Sequence, residues 1–252
     1  VRRLVGGALV AVLMLAGCSE RRSSVPVAAS PPPSPSPVLS ASPVPSAPAA
    51  SEFTLAVAGD VHFTGRTAAL LRDPATAFGP ITPALQGADL ALVNLETAVT
   101  TRGTPEPKEF HFRAPASAFA AVRAAGVDAV SLANNHVLDY GRVGLFDTLD
   151  AAAAAGVPVF GAGRNAAGAY APWLVTVRGT RVAVLGFSQI FTLAGSWGAR
   201  DDRPGVALSH DLARVRAAVA AARAAADVVV VFNHWGQESV SCPSKIQKDL
   251  TA

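Results

Sequence analysis

Residues 53–62 read FTLAVAGDVH, and this stretch decides the fold. Its first half is an apolar run of strand length that ends at Gly59, which reads as a buried strand. Asp60 and His62 stand just past its end. The pattern recurs three times. Asn94-Leu95-Glu96 follows the apolar run 90–93, Asn134-Asn135-His136 follows 129–133, and Asn233-His234-Trp235-Gly236 follows 228–232. In an open α/β sheet, ligands gather in the crevice beyond the carboxyl ends of the strands. Carboxylate, imidazole and carboxamide groups placed repeatedly at strand ends are what a metal site there requires.

Outward from these strings, strands alternate with helical periodicity. Strands are expected at 55–58, 90–93, 127–132, 157–160 and 228–232. A short helix is expected at 80–86. A second, 115–125, has Pro115 in its first turn, Phe119 and Val122 on one face and Gly126 as its stop. A third, 143–155, has Leu145, Phe146 and Leu149 spaced for one buried face and ends at Gly156. Segments 173–177 and 181–187 read as a hairpin around Gly179-Thr180. Ser209 is the expected N-cap of an Ala-rich helix to about residue 226, with Leu212, Val215 and Val219 buried. Residues 246–250 begin another helix. Strands alternating with helices imply an α/β fold with largely parallel pairing and hairpin additions.

The 252-residue chain does not fold along its whole length. Residues 1–17 read as an export signal, with Arg2 and Arg3 before the apolar stretch 4–15. The signal ends in Leu15-Ala16-Gly17-Cys18, which looks like a lipobox, so Cys18 is the expected lipidation site; a cleaved secretory signal with an incidental Cys is the alternative. Residues 18–52 form a linker rich in Pro, Ser and Ala, unable to bury a core and biased to extended conformations. The expected product is an extracytoplasmic domain, residues 53–252, held to the membrane by acyl chains. The formal net charge is +3; without Arg2 and Arg3 it is +1. A near-neutral domain without a basic stripe argues against nucleic-acid binding. Cys242 is left without a partner and is expected to be a buried thiol.

Asp60 and His62, one residue apart past a strand end, can face one cation. Carboxylate plus imidazole suits Mn, Zn or Fe better than Ca. Glu96 can bridge two ions, Asn135 offers an amide oxygen, and His136 and His234 offer imidazoles. Two such ions would attract an anion, lower the pKa of a bound water and clamp the attacking and leaving oxygens. Lys108, His111 and Arg113 are candidates for contact with an acidic substrate.

Gly59-Asp60-Val61, Asn94-Leu95-Glu96, Ala133-Asn134-Asn135-His136 with Asp139-Tyr140-Gly141, and His234-Trp235-Gly236-Gln237-Glu238 resemble the signature strings of the CapA family of bacterial poly-γ-glutamate capsule synthesis proteins. Residues 108–115, KEFHFRAP, and 161–165, GAGRN, are further matches. That family is similar in fold to calcineurin-like metallophosphoesterases, so the resemblance implies a four-layer α/β/β/α sandwich with two metals. It implies metal ligation by Asp60, His62, Glu96, Asn135 and His234. It also implies a leaving-group proton donor in His136, oriented by Asp139. Many members of the family carry an apolar residue where this chain has His62. The family's later His-x-His string is absent, so the domain is expected to be incomplete at its C-terminus. Three functions fit the resemblance. One is a surface-anchored protein of capsule or poly-γ-glutamate synthesis or export, working on an anionic polymer within a capsule-synthesis complex. The second is an extracytoplasmic metal-dependent phosphoesterase acting on a phosphorylated substrate. The third is a non-catalytic binding lipoprotein.

Overall fold

The computed structural model describes residues 2–4, 52–190 and 194–251. Cys18, most of the expected signal and nearly all of the expected linker lie outside these residues. The strands are β1 (Arg2–Leu4), β2 (Phe53–Val61), β3 (Leu90–Leu95), β4 (Ala98–Val99), β5 (Arg113–Ala114), β6 (Ala129–Ser131), β7 (Val159–Phe160), β8 (Ala162–Gly163), β9 (Trp173–Val177), β10 (Thr180–Ser188), β11 (Gly205–Val206) and β12 (Val228–His234). The helices are α1 (Thr82–Gln86), α2 (Ser117–Ala124), α3 (Gly141–Ala155), α4 (Ala166–Ala169), α5 (Ala194–Trp197), α6 (Leu212–Ala225) and α7 (Lys245–Thr251). Among the described residues no helix is long and apolar enough to cross a membrane.

The fold is mixed α/β. One sheet has the order β1-β2-β3-β6-β7 and another the order β12-β10-β9. In the first, β2, β3, β6 and β7 are parallel and β1 is antiparallel to β2. In the second, β12 lies parallel to β10 and β9 antiparallel to it. Side-chain alternation sorts the core. Leu90 and Leu92 of β3 share one apolar cluster with Val182 and Val184 of β10 and with Phe160 of β7. Ala91, Val93 and Leu95 face the other way, onto Phe119 and Val122 of α2 and Leu145 of α3. On β10, Ala183, Leu185 and Phe187 pack with Ala218 and Ala222 of α6.

Several expectations move by a residue or two. The hairpin loop is Arg178-Gly179, with φ of 48° and 83°, and Thr180 already pairs with Val177. Two positive φ values in a two-residue loop match the right-handed twist of the flanking strands. The cap of α6 is Asp211, whose carboxylate accepts from Arg214 N at 3.2 Å, not Ser209, and the helix starts two residues later than a Ser209 cap would set. Leu212 is the first residue of the helix and is 46% exposed, and Val215 and Val219, expected in the core, are only partly buried against it. Cys242 is exposed because it lies in the polar segment after β12, outside the core clusters. Residues 65–81 wind through three 3₁₀ segments before α1.

Candidate metal centre

The polar strings converge where the core shared by the two sheets runs out. Asn94 continues the face of Leu90 and Leu92, and His234 continues the face of Val228, Val230 and Phe232 on β12. Asp60 reaches this face through an irregularity. Val57 pairs with Leu92, but Asp60, three residues on, pairs with Asn94, two residues on. This one-residue bulge inverts the facing of Asp60 relative to strict alternation, a common device for aiming a side chain at a site. Glu96 lies just past β3, tied by its backbone N–H to Val61 O at 2.8 Å.

One ligand atom each from Asp60, Glu96 and His234 falls within 4.8 Å of the others. His234 Nε2 lies 2.7 Å from Asn135 Oδ1 and 3.4 Å from Glu96 Oε1, and its Nδ1 lies 3.5 Å from Asp60 Oδ1. Behind this cluster runs an amide relay. The His136 and Val137 N–H groups donate to Asn134 Oδ1, and Asn134 Nδ2 donates to Asn94 Oδ1 and Leu95 O. Those bonds leave Asn94 Nδ2 to donate to Asp60 Oδ1 at 2.7 Å and to meet His234 Nδ1 at 3.2 Å. The relay fixes which way each carboxamide points.

Beside the cluster stands a buried dyad. His136 Nδ1 meets Asp139 Oδ2 at 2.6 Å, which places the proton on Nδ1 and turns Nε2 toward Glu96 Oε1, 3.8 Å away. Lys108 Nζ reaches Asp139 Oδ1 at 2.7 Å, so Lys108 points inward. His111 and Arg113 go elsewhere. His111 Nε2 bonds Glu106 O, and the Arg113 guanidinium lies over the Tyr140 ring and donates to Arg102 O. His62 stacks on one face of Phe112, whose other face stacks on His136; its Nδ1 is buried and unpartnered. The structure thus brings Asp60, Glu96, Asn135 and His234 together, sets His136 and Asp139 next to them, and holds His62 one ring further away.

Electrostatics single out the same place. The His234 ring, then the Asn94 amide, holds the Asp60 carboxyl down to about 2. Burial pushes Glu96 up to about 7, with Asp60 adding to the rise and His234 opposing it. Burial also lowers His136, against the pull of Asp139. A carboxylate buried beside another carboxylate is costly unless a cation neutralises it. That cost and the O/O/N donor set fit a divalent ion of the Mn, Zn or Fe kind. Asn94, Asn134 and Phe112 also build the site; the two carboxamides share their residue type with Asn135, and only the relay shows that they stand behind it, while neither type nor spacing marks Phe112. A cavity of about 480 Å³ opens beside Asp60 and His234, lined also by Val57, Val231 and Trp235.

An α/β protein with a candidate divalent-metal site at its strand ends is the class these observations define. The family model described as "Bacterial capsule synthesis protein PGA_cap" matches residues 54–252, and the chain belongs to that family. It is 38% identical over 157 residues to a "Probable polyglutamine synthesis accessory protein" of Mycobacterium tuberculosis, covering 59% of this chain and 41% of that protein. It is 30% identical over 207 residues to "Capsule biosynthesis protein CapA" of Bacillus anthracis, covering 79% of this chain and 50% of that protein. Over 176 residues it is 30% identical to "PGA biosynthesis protein CapA" of Bacillus subtilis, covering 69% of this chain and 46% of that protein. The chain therefore spans half or less of the length of these relatives.

Proposed function

We propose that this chain works in the synthesis or export of a capsule polymer of the poly-γ-glutamate type, and that a divalent-metal centre at Asp60, Glu96, Asn135 and His234 handles the anionic group of the polymer or of an activated precursor. The observation that carries this reading is the convergence of those four residues beside the His136–Asp139 dyad. The family and the names of the relatives support the polymer. In this reading the packing around Leu92 and Val184, with α2 and α3 outside one sheet and α6 outside the other, is the α/β/β/α arrangement of metallophosphoesterases. The lipobox at Cys18 would hold the domain outside the cell membrane.

A bound divalent ion would supply positive charge for an anionic group and a water of lowered pKa. His62, a ligand by the family resemblance, stands across the Phe112 ring from His136 and is left out of the proposed centre. The Asn94–Asn134 relay holds Asp60 and His234 in place, as outer hydrogen bonds do around metal ligands. His136 keeps its Nδ1 proton toward Asp139, which leaves Nε2 to take up a proton and then pass it to a leaving group, general acid–base chemistry. That dyad is the specific observation favouring a second reading, a hydrolase of phosphate or amide linkages.

The test uses the full chain equilibrated with Mn or Zn. Calorimetric binding of poly-γ-glutamate that disappears in His234→Ala supports the polymer reading. Metal-dependent turnover of a chromogenic phosphate ester that disappears in His136→Ala supports the hydrolase reading. Neither polymer binding nor turnover by a metal-loaded, folded chain overturns both.

A further inference from the structure

Residues 108–113 close on the His136 loop from three directions. The Lys108 ammonium donates to the Asn135 carbonyl oxygen and, at 2.7 Å, to Asp139 Oδ1, and lies 3.3 Å from His136 Nδ1. The Phe112 N–H donates to Asp139 Oδ2 at 2.6 Å, the oxygen that also takes the His136 proton. The Phe112 ring lies flat on the His136 imidazole, with centroids 3.8 Å apart and planes 10° apart. Lys108 has a side chain 8% exposed, and its ammonium sits 5.1 Å over the Trp197 ring. A group so enclosed has no face left for an extended anionic substrate, and its bonds are spent inside the protein.

We propose that Lys108 and Phe112 are positioning residues, a clamp that fixes the tautomer and ring plane of His136 and the main chain that presents Asn135. The inference deepens the hydrolase reading and rests on it only for its kinetic consequence. Each part of the clamp has its own task. Lys108 and the Phe112 N–H hold the two Asp139 oxygens, so Asp139 cannot turn away from Nδ1. The Phe112 ring prevents the imidazole from rotating about its Cβ–Cγ bond. The Lys108 bond to the Asn135 carbonyl ties the same loop next to His234. The bonds from Lys108 and from the Phe112 N–H are charge-assisted, which makes them directional.

The test compares Lys108→Met and Phe112→Ala in the full chain with the wild type. The first readout is the ¹⁵N signature of the His136 ring, which needs no turnover. The clamp predicts a single Nδ1–H tautomer in the wild type and averaged tautomers in both variants. An unchanged signature in both folded variants overturns the proposal, whatever the activity. The second readout is phosphate-ester kinetics. Positioning predicts a kcat lowered about 10–100-fold with KM within about twofold, by analogy with loss of outer-shell support. A raised KM with unchanged kcat in Lys108→Met would make Lys108 a substrate contact and overturn its place in the clamp. Lys108→Met leaves Asp139 buried without its cation, so Lys108→Met/Asp139→Asn serves where the single variant does not fold. There the reference is Asp139→Asn alone: the clamp predicts more averaging and a freer His136 ring in the double variant than in that reference, and an unchanged ring signature between the two counts against the proposal. A wild type without turnover defeats the hydrolase reading while the ring signature still decides the clamp.

Discussion

Asn94 has no exposed surface, and both polar atoms of its side chain are engaged. Its string was legible in the sequence, but its role was not, because residue type does not reveal which carboxamide faces the cation and which stands behind. Asn94→Ala should weaken Mn or Zn binding about 10–100-fold by calorimetry, as the loss of a second hydrogen-bonding shell does. Glu96 makes a prediction of opposite sign for stability. Its carboxyl is raised from 4.5 to about 7 in the folded chain. The metal-free native state therefore holds its proton more tightly than the unfolded chain does. Stability from this group is fully present below pH 4.5 and is lost as pH rises through about 7. Metal-free Glu96→Gln lacks that loss, so in denaturant melts it should gain on the wild type between those pH values, by about 3 kcal/mol at pH 8. Metal binding runs the other way. Wild-type affinity should climb with pH to about 7 and then level off, as the proton ceases to compete.

At the scale of elements, the strands were readable from their apolar runs and the parallel pairing from their alternation with helices. What was hidden depends on register. The bulge between Val57 and Asp60 turns Asp60 onto the face of Asn94, and no pattern in FTLAVAGDVH announces it. The Ala-rich α6 hides its start in the same way, because Ser209 and Asp211 are equally good caps by type. Asp211→Ala should cost about 1 kcal/mol, the usual worth of an N-cap. Ser209→Ala should leave stability nearly unchanged, since the Ser209 hydroxyl is buried with no partner. Gly161, just after β7, packs between Ala133, which follows β6, and Gly186 of β10. Its φ is +84°, and a Cβ there would stand 2.5 Å from Ala133 Cβ and 3.1 Å from Gly186 O. Gly161→Ala should destabilise the fold by about 2–4 kcal/mol in a denaturant titration, combining backbone strain with overpacking. Because Ala133 leads into the Asn134 relay, the same variant should also weaken metal binding.

At the scale of the whole molecule, four stretches far apart in the chain are brought to one point by two sheets whose shared apolar face ends there. The strings at 60, 94, 134 and 234 were legible as strand ends because apolar runs precede them. Their meeting was not, since it requires the second sheet to carry His234 across from β12 to Asp60 and Glu96. Lys108, His111 and Arg113 show the same limit. By residue type all three suit contact with an acidic substrate, yet Lys108 turns into the core while the other two bond Glu106 and Arg102. The most direct measurement is the metal content of the purified full chain after equilibration with Mn or Zn and removal of free ion. The account predicts at least one retained divalent ion per chain, lost in His234→Ala and in Asp60→Ala while both variants still melt cooperatively. A folded wild-type chain that retains no ion, or variants that retain it undiminished, would contradict it.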